Sequence, residues 1–280
     1  MIHIDDATLL GYLKDDAPYG DLTSRTLDLK GVPARMTFAA RGPMVVCGIE
    51  EAARLLALIG CEVQKACASG DRLPEAGPVL EATGPGEAVL VGWKVAQMLV
   101  EWTSGVATAA RRLTDAARAA NPEIIVACTR KAIPGTHLLS AKAVLAGGAT
   151  LHRTGLSDTV LLFPEHRALG AAPDVLAGQI ERLKAACPER SVVVEVKTVE
   201  EALVAADSGA DVLQLEKFPP DKVAGLTAAL MASKPVRIAA AGGVTAANAE
   251  AYARSGAAIL VTSAPYYAKP CDVQVSITRH

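Results

Sequence analysis

The sequence predicts an α/β chain, an incomplete (β/α) barrel of about six parallel strands, preceded by an α+β domain of sandwich type. Three observations carry this reading. After Asn121-Pro122, apolar runs alternate with helical segments, as in βα units whose strands are buried on both faces. Before that point, β-like runs cluster around a single helix instead of alternating with helices. A hydrophobic fraction of 51% with only 4% aromatics gives a core of Ala, Val and Leu, which suits helices packed tightly on a parallel sheet.

The elements follow in order. Residues 4–14 read as a helix capped by Asp5 or Asp6, with Leu9, Leu10 and Leu13 on one side. The segment after it is turn-rich, and Asp21 is better read as a local cap than as a catalytic group. Strands are expected at 34–40, 44–47, 79–83 and 87–91, with a helix at 50–59. Residues 93–120 form a long helix in which Met98, Trp102, Val106, Ala109 and Leu113 recur at helical spacing, an amphipathic connector.

The βα series comes next. Its strands are expected at 124–128, 158–163, 191–197, 212–216, 236–241 and 259–262. Helices fall between them at 136–146, 174–186, 199–208, 221–233 and 246–255. Repeated right-handed crossovers of this kind curl a sheet toward a barrel. Residues 198–213 and 245–260 share Thr, two Ala, Ser-Gly-Ala and Leu in register, so each is one βα unit with its glycine at the helix end. The alternating Val273, Val275 and Ile277 should return as a strand to the first domain. The expected domains are 1–112 with 265–280, and 113–264.

Composition excludes several function classes. With Lys+Arg 28 against Asp+Glu 30 there is no global basic field, so nucleic acid is not an expected partner and anion binding must be local. Six cysteines, at 47, 61, 67, 128, 187 and 271, show neither a Cys-x-x-Cys pair nor zinc-site spacing. They read as reduced thiols of a cytoplasmic protein. Asp5 and Asp6 stand where a signal peptide needs basic residues. No run approaches the roughly 20 apolar residues of a membrane span.

Charge is nevertheless concentrated in one stretch, where Arg130, Lys131, His152 and Arg153 lie among short apolar segments. Strand ends line the ligand crevice of α/β folds, so these residues are candidates for holding an anion, against the plainer reading of surface charge. Glu195 and Glu216 lie near the ends of two later strands. Inward carboxylates are costly unless they meet a ligand or each other, or unless Glu195 pairs with Lys197 in a structural ion pair. Ala241-Gly242-Gly243-Val244-Thr245 follows a strand and opens a helix, a place where backbone N–H groups can cradle a phosphate.

The motifs Thr129-Arg130-Lys131-x-x-Pro134-Gly135 and Ala143-x-x-x-Gly147-Gly148-x-x-x-His152-Arg153-x-Gly155-Leu156-x-Asp158 resemble the signature of the quinolinate phosphoribosyltransferase family. Asp15-Asp16-x-x-x-Gly20-Asp21-x-Thr23 and Ser104-Gly105-Val106-Ala107-Thr108 also match, so the resemblance spans essentially the whole chain. Its departures point to a pyrophosphorylase-like branch associated with molybdenum transport. Where the family closes the signature with Lys-Asp-Asn-His, this chain has Phe163, Pro164, Glu165 and His166.

The resemblance implies a homodimeric, magnesium-dependent pentosyltransferase related to nicotinate-nucleotide diphosphorylase and NAD biosynthesis. Such an enzyme moves phosphoribosyl from phosphoribosyl pyrophosphate to an acidic heterocycle and releases pyrophosphate. It further implies that Lys131 serves the pyrophosphate and that Arg130, His152 and Arg153 hold the acceptor. Lys94 falls at the family arginine that reaches in from the neighbouring subunit. Glu195 and Glu216 would hold the ribose hydroxyls and magnesium, Glu216 being one methylene longer than the family aspartate. Gly242 and Gly243 with Thr262 would cradle the 5-phosphate, Ala241 standing for a serine and Ser263 for a glycine. Phe163 replaces a lysine that helps bind two carboxylates, which implies a less negative acceptor than quinolinate. Two other readings stay open: a non-catalytic binder of an oxyanion such as molybdate or of a nucleotide, and another phosphate-binding barrel enzyme.

Overall fold

The structure is a computed structural model that describes residues 2–169, 175–231, 234 and 236–280, without the side chains of Val175 and Met231. In chain order, α1 (Asp6–Asp16), α2 (Leu22–Thr26), β1 (Pro33–Ala40), β2 (Met44–Val45) and α3 (Ile49–Leu58) come first. They are followed by β3 (Glu62–Lys65), β4 (Arg72–Leu73), β5 (Gly77–Pro85) and α4 (Gly86–Ala120). Next come β6 (Ile125–Cys128), α5 (His137–Ala146), β7 (Thr150–Leu151), β8 (Val160–Leu162), α6 (Pro164–Ala168) and α7 (Val175–Ala186). The chain continues through β9 (Val192–Val196), α8 (Val199–Asp207), β10 (Val212–Glu216) and α9 (Pro220–Met231). It ends with β11 (Arg237–Ala241), α10 (Ala249–Arg254), β12 (Ile259–Thr262) and β13 (Val273–Arg279). The expected starts and ends of two helices, at 174 and 232–233, lie outside the described residues.

Two compact units result: residues 1–111, 132–148 and 265–280 form the first, and 112–131 and 149–264 the second. In the first, an antiparallel sheet has the order β13-β1-β5-β3. The returning strand pairs with β1 in full register, Ala34 facing Arg279 and Ala40 facing Val273. Met36, Phe38, Val79 and Ala82 from the sheet pack with Ile49, Ala52 and Leu56 of α3 and with Val89, Ala96 and Val100 of α4. Asp5 and Asp21 both act as helix caps, Asp21 accepting from the N–H groups of Thr23 and Ser24 at 3.0 and 3.1 Å.

Residues 87–91 are helical, not a strand as expected. The run Ala88-Val89-Leu90-Val91 has strand-like composition, but Val89 and Ala96 lie seven residues apart on one buried face, which is helical spacing. Between them Gly92 has no room for a side chain, because a Cβ would lie 2.5 Å from Ile59 Cδ1 and 2.9 Å from Leu56 Cδ2. The helix α4 thus packs closely on α3 at Gly92. The short β3 and β4 were not expected, being exposed or only two residues long.

The second unit carries a parallel sheet of seven strands in the order β7-β6-β12-β11-β10-β9-β8. The first long strand of the series pairs with the last, Val126 facing Leu260. The sheet is therefore an incomplete barrel, open between β7 and β8. It has one strand more than expected, because the two-residue β7 adds to the edge of β6. Leu161, Val193, Val212, Ala239, Ala241 and Val261 fill the interior. Burying each Val or Leu there is worth roughly 1.5–3 kcal/mol. The alanines of β11 are small, and this leaves space at the carboxyl ends of the strands. No described helix is long and apolar enough to cross a membrane.

Candidate active site

That space is a hollow of about 410 Å³, lined entirely by the second unit. Every strand from β6 to β12 contributes to it, at or just beyond its carboxyl end. On one side, β6 ends at Cys128 and hands over to Thr129, whose N–H is held by the Thr262 carbonyl at 2.8 Å. The Lys131 N–H donates to the Thr129 hydroxyl at 3.2 Å, a tight turn that carries Arg130 and Lys131 to the wall of the hollow. The His152 N–H donates to the Cys128 carbonyl at 2.8 Å. This extends the β6–β7 pairing and brings His152 and Arg153 to the same wall. Arg153 is 9% exposed and lies over the Phe163 ring, 5.4 Å from its centroid, a contact that favours guanidinium over other groups. The Phe163 N–H donates to His166 Nδ1 at 3.0 Å, which fixes the start of α6.

Burial lowers the proton affinity of two side chains in this wall. His152 titrates below its ordinary value, first through desolvation and then through the Arg153 charge. Arg153 is likewise pulled down by burial and by Arg130. Like charges gathered in a desolvated wall are stabilised by an anion.

Across the hollow stand Glu195 and Glu216. Glu195 is 9% exposed, and its Oε2 accepts from Gln214 Nε2 at 2.7 Å. Its pKa is raised, chiefly by burial and then by the neighbouring Glu216 charge. Among the described residues neither carboxylate forms a salt bridge. The expected alternative, an ion pair with Lys197, is not found. β9 ends at Val196, strand alternation stops there, and the exposed Lys197 instead donates its N–H to Glu201.

Ala241, Gly242 and Gly243 close the third side, together with Thr262 and Ser263. Gly242 and Gly243 have φ of 82° and 90°, backbone that an L side chain rarely adopts. α10 begins at Ala249, three residues later than expected. Asn248 accounts for this, since its Oδ1 accepts from the Thr245 N–H at 2.8 Å and its Nδ2 donates to the Gly243 carbonyl at 2.9 Å. The cradle is therefore the glycine turn itself and not a helix end.

Twelve of the thirteen residues picked out from sequence thus meet in one hollow. Lys94 does not line it. It lies in the first unit, its Nζ 2.8 Å from Gln97 Oε1 and 3.9 Å from the centroid of the Trp93 ring. The hollow also takes in Thr129, which heads the Thr-Arg-Lys motif but was assigned no role, and Gln214 and Lys217. Lys217 has φ 62°, and its N–H bonds the Ala241 carbonyl at 2.7 Å. Cys128 is no nucleophile, as burial pushes its thiol up to about 12.

Two neighbouring carboxylates that form no salt bridge among the described residues are an oxygen donor set that suits magnesium. No described group of three or more His, Cys, Asp or Glu could hold a metal alone, so ligand oxygens would have to complete its shell.

Family comparison agrees with this architecture. Residues 21–104 match the N-terminal domain of quinolinate phosphoribosyl transferase and residues 106–276 its C-terminal domain. The chain belongs to the quinolinate phosphoribosyltransferase family. Within that family it falls in the ModD branch. It is 55% identical to the protein named "Putative pyrophosphorylase ModD" of Rhodobacter capsulatus, over 91% of this chain and 98% of that one. It is 32% identical to the nicotinate-nucleotide pyrophosphorylase (carboxylating) of Rattus norvegicus, over 85% and 78% of the two chains. A solved nicotinate-nucleotide pyrophosphorylase from Francisella tularensis shares the fold of this phosphoribosyltransferase family member, with a TM-score of 0.88, 20% identity, and coverage of 99% and 98%.

Proposed function

We propose that the chain is a type II phosphoribosyltransferase, or pyrophosphorylase. It would transfer phosphoribosyl from phosphoribosyl pyrophosphate to an acidic heterocycle. One observation carries the reading: a cationic wall, two carboxylates that form no salt bridge among the described residues, and a glycine turn surround a single hollow. A pure anion binder gains nothing from Glu195 and Glu216 beside its ligand, whereas a donor with positive charge developing at the sugar needs them.

In this scheme a ring nitrogen of the acceptor forms the bond to C1 of the sugar. The C1–O bond breaks, and its electron pair leaves with pyrophosphate. Lys131 neutralises the departing group. Arg130, Arg153 and His152 orient the acceptor acid, the neutral His152 ring acting as a hydrogen-bonding group and not as a charge. Glu195 and Glu216 accept from the ribose hydroxyls and stabilise the oxocarbenium-like sugar. The backbone of Gly242 and Gly243, with Thr262, holds the 5-phosphate. Magnesium, held by Glu195 and Glu216 with ligand oxygens, would supply charge neutralisation at the pyrophosphate.

Phe163 presents an aromatic face under Arg153 where a lysine would add charge. The acceptor is therefore an acid with fewer negative charges than quinolinate, or one built on a different ring. We place Lys94 in the site of a second copy in a homodimer. Mixing Lys94→Ala chains with Arg153→Ala chains should then restore activity that neither homodimer has. The six free thiols suit a reducing, cytoplasmic setting.

The test is magnesium-dependent pyrophosphate release with carboxylated pyridines, pyrimidines and pterin-like acids. Turnover with one of them, reduced about 100-fold or more by Glu195→Gln or Glu216→Gln, is the expected result. Tight molybdate binding without any binding of phosphoribosyl pyrophosphate would overturn it in favour of an oxyanion carrier. Ordinary turnover of quinolinate would overturn the acceptor assignment alone.

A further inference from the structure

Among the described residues lining the hollow, Gln214 carries a buried side-chain atom that has no hydrogen-bond partner. It is 5% exposed, faces Glu195 across the β9–β10 register, and donates from Nε2 to Glu195 Oε2 at 2.7 Å. Its Oε1 is buried and has no hydrogen-bond partner among the described residues. An ionised carboxylate only accepts, so the amide must turn its NH₂ to Glu195 and its oxygen elsewhere. A buried acceptor left without a donor costs about 1–3 kcal/mol, a cost that a ligand donor removes.

The surroundings define that donor. The floor formed by Glu195, Gln214 and Glu216 presents acceptor oxygens, so a phosphate or carboxylate there would meet repulsion. Neighbouring uncharged donors are what fits. A vicinal diol offers two hydroxyls a bond apart, matched to the free Glu195 oxygen and to Gln214 Oε1. We infer that Gln214 is a specificity-determining residue that, with Glu195, reads the ribose diol of the donor and rejects deoxyribose. This rests on the phosphoribosyl reading above but adds a residue to which that reading gives no role.

The experiment compares binding of ribose 5-phosphate with its 2-deoxy and 3-deoxy analogues by titration calorimetry, in the wild-type chain and in Gln214→Met. The wild type should favour the diol over at least one deoxy analogue by about tenfold or more, and Gln214→Met should collapse that ratio while leaving affinity for the same analogue nearly unchanged. A merely structural role would weaken all three sugars alike and leave the ratio intact, which would overturn the inference and spare the proposed function. Binding of neither ribose 5-phosphate nor phosphoribosyl pyrophosphate would overturn both. Should Gln214→Met fail to fold, the side-chain amide resonance of Gln214 in the wild-type chain decides. It should shift with ribose 5-phosphate but not with the 2,3-dideoxy analogue, and equal shifts would overturn the inference.

Discussion

Gly242→Ala probes whether the glycine turn is what gives Glu216 its place. A Cβ at Gly242 would lie 2.7 Å from Lys217 Cγ, 2.8 Å from Glu216 Oε1 and 2.9 Å from Glu216 Cδ, whereas one at Gly243 meets nothing within 4 Å. Both glycines have left-handed φ, and an alanine held there costs roughly 1–2 kcal/mol. Gly243→Ala should lose that amount and no more. Gly242→Ala should also displace the Lys217 side chain and force Glu216 off its rotamer, about 1 kcal/mol each, for roughly 3–4 kcal/mol in all. Urea denaturation of the wild type, Gly242→Ala, Glu216→Ala and the double variant isolates the Glu216 part. With the carboxylate gone, the alanine should cost about 1 kcal/mol less. Equal costs in both backgrounds, within about 0.3 kcal/mol, would refute the idea that the carboxylate leans on the bare glycine. Phosphoribosyl pyrophosphate affinity should fall in Gly242→Ala as Glu216 shifts.

Other outcomes follow from the same geometry. Phe163→Lys adds a cation beside Arg153 and should raise quinolinate affinity about tenfold; titration showing no gain would remove Phe163 as the residue that excludes a second carboxylate. His152 is held below its ordinary value of 6.5, so the unfolded chain takes up a proton that the native state refuses. Its contribution is full above about pH 6.5 and is lost as pH falls toward the depressed native value. His152→Asn should therefore flatten the stability profile in that interval, and an unchanged profile would count against the burial argument. In the first unit, burial pushes Glu50 up, but Lys142 and Ser69 outweigh it and hold its pKa at about 2. The stability it adds is present above the ordinary carboxylate value and lost as pH falls through about 4.5 to about 2, worth about 1–2 kcal/mol after solvent screening. Lys142 Nζ also contacts the buried Glu51 at 2.6 Å; Lys142→Met should cost about 3 kcal/mol in denaturation and leave donor binding intact.

Much of this architecture was legible in the sequence because its parts are periodic. The apolar runs at β6, β9, β10, β11 and β12 announced a parallel sheet, and residues at their ends announced the hollow. The glycine pair was visible because few other residues tolerate its backbone. What escaped were features set by tertiary contact. Residues 87–91 have strand composition, but Val89 and Ala96 share a buried face at helical spacing and Gly92 lies close against Ile59 and Leu56. β7 is two residues long and exists by pairing with β6. Lys217 enters the hollow through a left-handed backbone that no local pattern demands. The significance of Gln214 lies in a missing bond, which a sequence does not record. The helix expected from residue 246 begins late because Asn248 caps the turn with its side chain.

The central claim is that this hollow grips an activated sugar by both ends, and direct titration of phosphoribosyl pyrophosphate into the protein tests it. Saturable binding that strengthens with magnesium and is lost in Glu216→Gln and Arg153→Ala is the predicted result. Binding indifferent to magnesium and to both substitutions, or no binding at all, would contradict it.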